Sequence, residues 1–178
     1  MQTERVGNRT QAVWMIDPDH STVEFSVVKL FLFNVKGRFR EIAGSIVLDE
    51  TDLGRSAVSA TIKAASIDTG SRRRDTHLRS ADFLAADRYP DITFQSTSVA
   101  RGVDRDTLRI TGSLMIRDAI KEVVLNVHDI DRSRSPNGED FIYYSATTAV
   151  DRFAFGIKHS RGLVGAKVKI AINVQGCR

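Results

Sequence analysis

Along most of this chain the apolar residues fall on every second position. Val23, Phe25 and Val27 alternate with Thr22, Glu24 and Ser26, and Ile92 and Phe94 alternate with Thr93 and Gln95. The same period runs through Leu108, Ile110, Gly112, Leu114 and Ile116, through Val123, Leu125 and Val127, through Ile142 and Tyr144, and through Val168, Ile170, Ile172 and Val174. A period of two puts these side chains on one face of a strand and scatters them around a helix, so the pattern selects β structure. The residue types agree: Val, Ile and Thr number 17, 14 and 13 against 10 Leu, and β-branched side chains pack well on a pleated surface while restricting helical rotamers.

Turn-forming clusters separate the runs: Asp17-Pro18-Asp19, Asp52-Leu53-Gly54, Arg101 to Asp104, Ser135 to Gly138, and Gly162 to Gly165. Eight long strands are expected, over residues 21–30, 35–49, 56–67, 91–100, 106–117, 121–131, 140–151 and 166–175, with a short one near 13–16. Helix is confined to one or two short pieces, 75–84 with Asp75 as its cap and a second over 153–159. Strands of about ten residues reach ~34 Å, and eight of them would expose long edges unless the sheet closed on itself. The expected fold is therefore all-β: a single extended eight-stranded antiparallel β-barrel, lipocalin-like. It spans 13–178 behind a flexible, polar amino-terminal segment, 1–12. Small residues at Ala60, Ala64, Gly112 and Ala146 leave interior room, whereas Phe39, Phe94, Phe153 and Phe155 can fill it, so the pattern fits a hollow or a packed barrel.

Several functional classes are excluded or disfavoured. The 26 Lys and Arg against 22 Asp and Glu are interleaved along the chain, unlike the segregated basic stripe of a nucleic-acid binder. A lone cysteine, Cys177, rules out an internal disulfide and a cysteine-rich zinc module. No stretch approaches the ~20 apolar residues of a membrane span, and the amino terminus lacks the apolar segment of a secretory signal, so a cytoplasmic location is expected. Phosphate-binding glycine motifs and a G-x-S-x-G elbow are missing. The four histidines, His20, His77, His128 and His159, share no ligand spacing, so neither a metal nor another cofactor is expected. Ser21 beside His20 points to the opposite face of a strand and makes no triad.

The densest unusual feature is SRRRDTHLRSADFL, residues 71–84. Cations crowded near a helix start oppose the macrodipole. An anionic head group would relieve that, as would simple solvation of a basic loop.

In order, WMIDPDHSTVEFSV (14–27), VKGRFREIAGSI (35–46), SIDTGSRRRDTHLRSADFL (66–84), YPDITFQSTSV (89–99), GSLMIRDAIKEVVL (112–125) and DRFAFGI (151–157) cover nearly the whole chain. This order resembles the YceI-like family of polyisoprenoid-binding, lipocalin-like proteins. The resemblance implies an apolar tunnel that holds an isoprenoid or other long-chain lipid, by binding and not by catalysis. Family members are often exported, which this amino terminus does not suggest. Where the family tends to show LTIRGVTK this chain has LMIRDAIK, and Met115 and Ile120 are expected to reshape the tunnel. On this reading the walls are Phe25, Phe39, Ile62, Phe94, Leu114, Leu125, Tyr144 and Phe155, and the polar candidates for a head group are Arg73, His77, Arg79 and Arg152. Two rivals stand beside it. One is a lipid hydrolase or isomerase with His20 or His77 as general base, which needs a polar partner within hydrogen-bonding reach. The other is a filled barrel acting as an interaction module, which predicts no continuous cavity and a large exposed apolar patch. A homodimer is compatible with each reading.

Overall fold

The computed structural model describes residues 11–178, apart from the side chains of Asp129 and Ile130. Its strands are β1 (Gln11–Ile16), β2 (Thr22–Lys29), β3 (Phe33–Phe39), β4 (Ile42–Asp49), β5 (Ala57–Lys63), β6 (Ile67–Asp68), β7 (Asp91–Arg101), β8 (Leu108–Ile116), β9 (Ala119–Arg134), β10 (Asp140–Asp151) and β11 (Val164–Cys177). Eleven segments make eight staves. Val23 pairs with Phe39 and Trp14 with Ile46, so β1 and β2 lie along β4 and β3 as one interrupted strand. Ile42 pairs with Ile62 and Arg38 with Asp68, which makes β5 and β6 the next stave. All pairings between strands are antiparallel, and the ring closes because β11 pairs with β2 along its length and with β1 at its end. The structure is thus the closed eight-stranded barrel expected from the alternation.

The interruptions have local causes. Asp17 opens a turn in which its carboxylate accepts from the Asp19 N–H at 3.0 Å, and Pro18 cannot donate to a ladder. The run 35–49, expected as one strand, bends at Arg40, whose N–H leaves the ladder and donates to the Ser66 carbonyl at 3.2 Å. Gln11 and Ala12, assigned from sequence to the flexible segment, pair with Asp49 and Leu48 and belong to β1.

Among the described residues the one α-helix, α1 (Arg72–Arg79), starts three residues earlier than expected. Its cap is Ser71, and Asp75 lies within it, buried. The Asp75 carboxylate accepts instead from the Thr69 N–H at 2.9 Å and the Thr69 hydroxyl, tying the helix to the strand before it. The second expected helix is a 3₁₀ turn over Arg152–Phe155, capped by the Asp151 carboxylate at 2.8 Å and ended by Gly156 at φ 76°. A left-handed residue there is cheap only for glycine or nearly so. Inside the barrel, Trp14, Ile16, Ile46, Leu48 and Ile142 form one buried apolar cluster, and Phe94, Val127, Val150 and Phe155 belong to a second.

Candidate functional site

The inward side chains enclose a cavity of about 280 Å³, and all eight residues expected as walls, from Phe25 to Phe155, line it. Alternation places them: each is flanked in its strand or turn by residues turned outward. Two glycines let the wall form. A Cβ on Gly112 would lie 2.5 Å from the Phe94 ring, and one on Gly37 the same distance from the Phe25 ring, so both rings lie flat across the neighbouring strand. The small residue Gly112 therefore does not leave space, as composition suggested; Phe94 occupies it. Ala60 and Ala146 do face the cavity. Phe153, expected to fill the barrel, instead stacks under the guanidinium groups of Arg152 and Arg161, at 4.6 and 5.0 Å. Met115 and Ile120 do not line the cavity, and Ile120 is 62% exposed. Both sit on the opposite parity from Leu114 and leave its shape unchanged.

The lining is apolar but for Ser56, Thr148, Tyr144 and Arg152. Burial pushes the Tyr144 phenol up to about 12, so it stays neutral. Arg152 is buried, and its guanidinium donates to four carbonyls: Ile157 and His159 at 2.8 Å, Val164 at 2.8 Å and Gly165 at 2.9 Å. Burial draws its pKa below the ordinary arginine value. Its donors are spent on holding the 3₁₀ turn and the following loop to β11, so Arg152 lines the cavity with its guanidinium engaged by the backbone.

The other three polar candidates lie off the cavity. Arg73 is exposed on α1. Arg79 donates to the carbonyls of Ala65 at 2.7 Å and Ile67 at 3.0 Å, clamping α1 to the bend before β6. The His77 Nε2 bonds the Asp82 carboxylate at 2.8 Å, and the His159 Nδ1 approaches the same oxygen at 3.6 Å. Phe83, which does line the cavity, meets both imidazoles edge-on at 5.0 and 5.1 Å. The His77 hydrogen bond holds the Asp82 carboxyl below the usual carboxylate range. His77, Asp82 and His159 keep their ligand atoms within 4.8 Å of one another and can supply a set of metal ligands, although all three are exposed. Spacing could not have found this group, since its histidines come from α1 and from the loop before β11.

A second recess, of about 1300 Å³, lies over the outward residues of β2, β3, β10 and β11 and the start of β9. Lys36, Arg38, Lys167 and Lys169 line it together with Glu24 and Asp151. The β9–β10 ladder ends at the Asn126–Thr147 pair. Beyond it the recess adjoins the cavity, because residues that include Phe25, Val123, Val150 and Phe155 line both.

The barrel has counterparts. The BcnA protein of Burkholderia cenocepacia superposes with a TM-score of 0.80 at 20% identity, over 90% of this chain and 98% of that one. A polyisoprenoid binding domain from Saccharophagus degradans, implicated in plant cell wall breakdown, superposes with a TM-score of 0.67 at 14% identity, over 92% and 97%. At these identities the likeness is one of fold. In sequence, Protein YceI of Shigella flexneri is 34% identical over 172 residues, 96% of this chain and 89% of its relative. The YceI-like domain itself matches residues 14–176, from the buried Trp14 of β1 to Gly176 at the end of β11, and with that match the chain belongs to the YceI-like family.

Proposed function

We propose that the barrel binds the tail of a long-chain isoprenoid-type lipid, a polyprenyl phosphate or pyrophosphate or an isoprenoid quinone, and sequesters or carries it without chemical turnover. The observation that carries this reading is the enclosed cavity with its apolar wall and with its one cation already engaged by carbonyls. The polyisoprenoid-binding domain with the same fold supports the choice of tail.

Size sets a limit on that tail. At roughly 30 Å³ per methylene-sized unit, about 280 Å³ holds roughly nine carbons. Burying them yields ~7 kcal/mol at ~0.8 kcal/mol each, from which association costs of several kcal/mol are subtracted. A segment of that length binds weakly by itself. Micromolar affinity therefore requires either that wall side chains such as Phe39 and Leu125 rotate to lengthen the cavity or that more of the chain lies against the protein outside it. Apolar walls discriminate poorly between tails, so length selects more than chemistry does.

The hydrolase reading has part of what it needs, since His77 has Asp82 within 2.8 Å. That pair is exposed and does not line the cavity, so a tail in the barrel does not reach it. The filled-barrel reading conflicts with the cavity, although the exposed apolar patch it called for is present at the β2–β3 turn.

The test is native mass spectrometry of protein purified without detergent, with solvent extraction of whatever accompanies it. A long-chain lipid at near one equivalent, lost or weakened in a Leu125→Trp variant that narrows the cavity, is the expected result. A bare protein mass that also takes up no isoprenoid, quinone or fatty amide would defeat the proposal.

A further inference from the structure

The turn between β2 and β3 presents an apolar surface that the barrel does not use. Lys29 pairs with Phe33, and the Leu32 N–H donates back to the Lys29 carbonyl at 3.2 Å, making Leu30 and Phe31 the two central residues of a tight turn. Both have positive φ, 51° and 59°. That pair of values belongs to the hairpin turn normally built from Asn-Gly, and two bulky apolar residues are poor choices for it. The strained backbone holds the side chains outward: Phe31 is 90% exposed, Leu32 83% and Phe33 60%. Leu163, 55% exposed, extends the surface from the loop before β11, where its carbonyl accepts from the Leu30 N–H at 2.7 Å. Scattered exposed apolar residues are ordinary, but a contiguous cluster of this kind marks a contact surface.

The charge around the tip says what it contacts. From Phe25 to Arg40 and from Arg152 to Arg178 the sequence contains no Asp or Glu. These two segments are neighbours, because β11 pairs with β2 and β2 with β3. The tip is therefore set between Lys29 and Arg161, with Lys36, Lys167 and Lys169 further along the same strands; the one acidic residue on the three strands is Glu24, five positions back from Lys29 on β2. An apolar prominence ringed by cations matches the interface of an anionic bilayer, where aliphatic and aromatic side chains enter the acyl boundary and lysines and arginines meet phosphates. A protein partner of acidic surface would want the cations but not four protruding apolar side chains.

We propose that the β2–β3 turn, Leu30 to Phe33 with Leu163, is a membrane-insertion tip by which the barrel docks on an anionic lipid surface. This deepens the lipid-binding reading. The cavity reaches this end of the barrel, since Val27 and Val164 line it and Val164 is the partner of Lys29. Docking by the tip sets the cavity's near end against the bilayer, which is where an insoluble tail would enter or leave.

The test is flotation of the full chain with vesicles of phosphatidylcholine alone and of phosphatidylcholine with one quarter phosphatidylglycerol, at low and high salt. The wild type is expected to float with the anionic vesicles and to be released by salt. A Phe31→Glu/Leu32→Glu variant should lose at least about tenfold in partitioning, and Arg161→Glu should lose less and only on anionic vesicles. A Phe31→Ser/Leu32→Ser variant guards against a folding artefact, because serine adds no charge and must give the same loss at an unchanged melting temperature. Failure of the wild type to float, or flotation of the double variants equal to that of the wild type, overturns the proposal. So does a wild-type dimer in sedimentation that the double variants dissociate, since the tip would then be a contact between copies. Uptake of a short isoprenoid alcohol from solution separates the two ideas. Tip variants should retain it while losing vesicles, and Leu125→Trp should lose it while keeping vesicles.

Discussion

Around the cavity, Phe25, Ile62, Phe94, Leu114 and Leu125 are held in place by strand parity and by contact with one another. At the α1 end, over 66–84 and 151–165, side chains are held by individual hydrogen bonds: Asp75 to Thr69, Arg79 to two carbonyls, Arg152 to four. The two regions differ in what a substitution does. A wall built by parity tolerates exchange of one apolar side chain for another, because volume and period are all it specifies. A collar built from buried polar groups tolerates very little, because each removed donor strands acceptors that water cannot reach. The arginine-rich block, which reads in sequence as a head-group site, in large part ties α1 to the residues around β6.

Substitutions at the two regions can break that contrast or sharpen it. The largest effect is expected from Arg152→Met, which leaves four buried or half-buried carbonyls without their donor; the loss should be about 3 kcal/mol or more in urea denaturation. A loss below about 1 kcal/mol would mean that the loop reaches water easily and that the collar is not structural. Next is Asp75→Asn, which keeps the shape but weakens acceptance from Thr69, with an expected cost of about 1–2 kcal/mol by the same measurement. In the wall, Leu125→Ala should cost about 1–2 kcal/mol, below the 2–5 of a solid core, because the cavity already leaves one side of Leu125 without neighbours. A cost at the top of the solid-core range would argue that the barrel is packed at that level.

The next prediction concerns pH and the wall alone. Burial raises the Tyr144 pKa to about 12, so its contribution to stability is complete below about pH 10, the ordinary tyrosine value, and is lost as pH rises from there through about 12. Ultraviolet titration of the phenolates should show one late-ionising tyrosine that disappears in Tyr144→Phe. The smallest effect belongs to Arg73→Ala. Its side chain is exposed, so stability should change by less than about 0.5 kcal/mol and lipid uptake not at all. A selective loss of lipids with anionic heads in this variant would restore the head-group role that its position on α1 does not support.

The eight staves and their inner faces were legible in the alternation of residues such as Val23, Phe25 and Val27, because period two maps directly onto the side of a pleated sheet. The walls followed for the same reason, and the family could be read from motifs spread along the chain. Asp75 was misread as a cap because capping is a local signal, and Ser71 a few residues earlier satisfied it equally well. The partners of Arg79 and Arg152 are carbonyls, which every residue carries, so no side-chain pattern could announce them. His77 meets His159 only because α1 and the loop before β11 fold over the same end of the barrel. The exposure of Phe31 and Leu32 was hidden because LFLF reads as the continuation of an apolar run, and only the positive φ values of Leu30 and Phe31 turn it into a protruding tip. Periodicity is a property of neighbours along the chain, so sequence determined the barrel. Which polar groups meet and which apolar groups are left uncovered depends on contacts between distant segments, and the tertiary structure decided those.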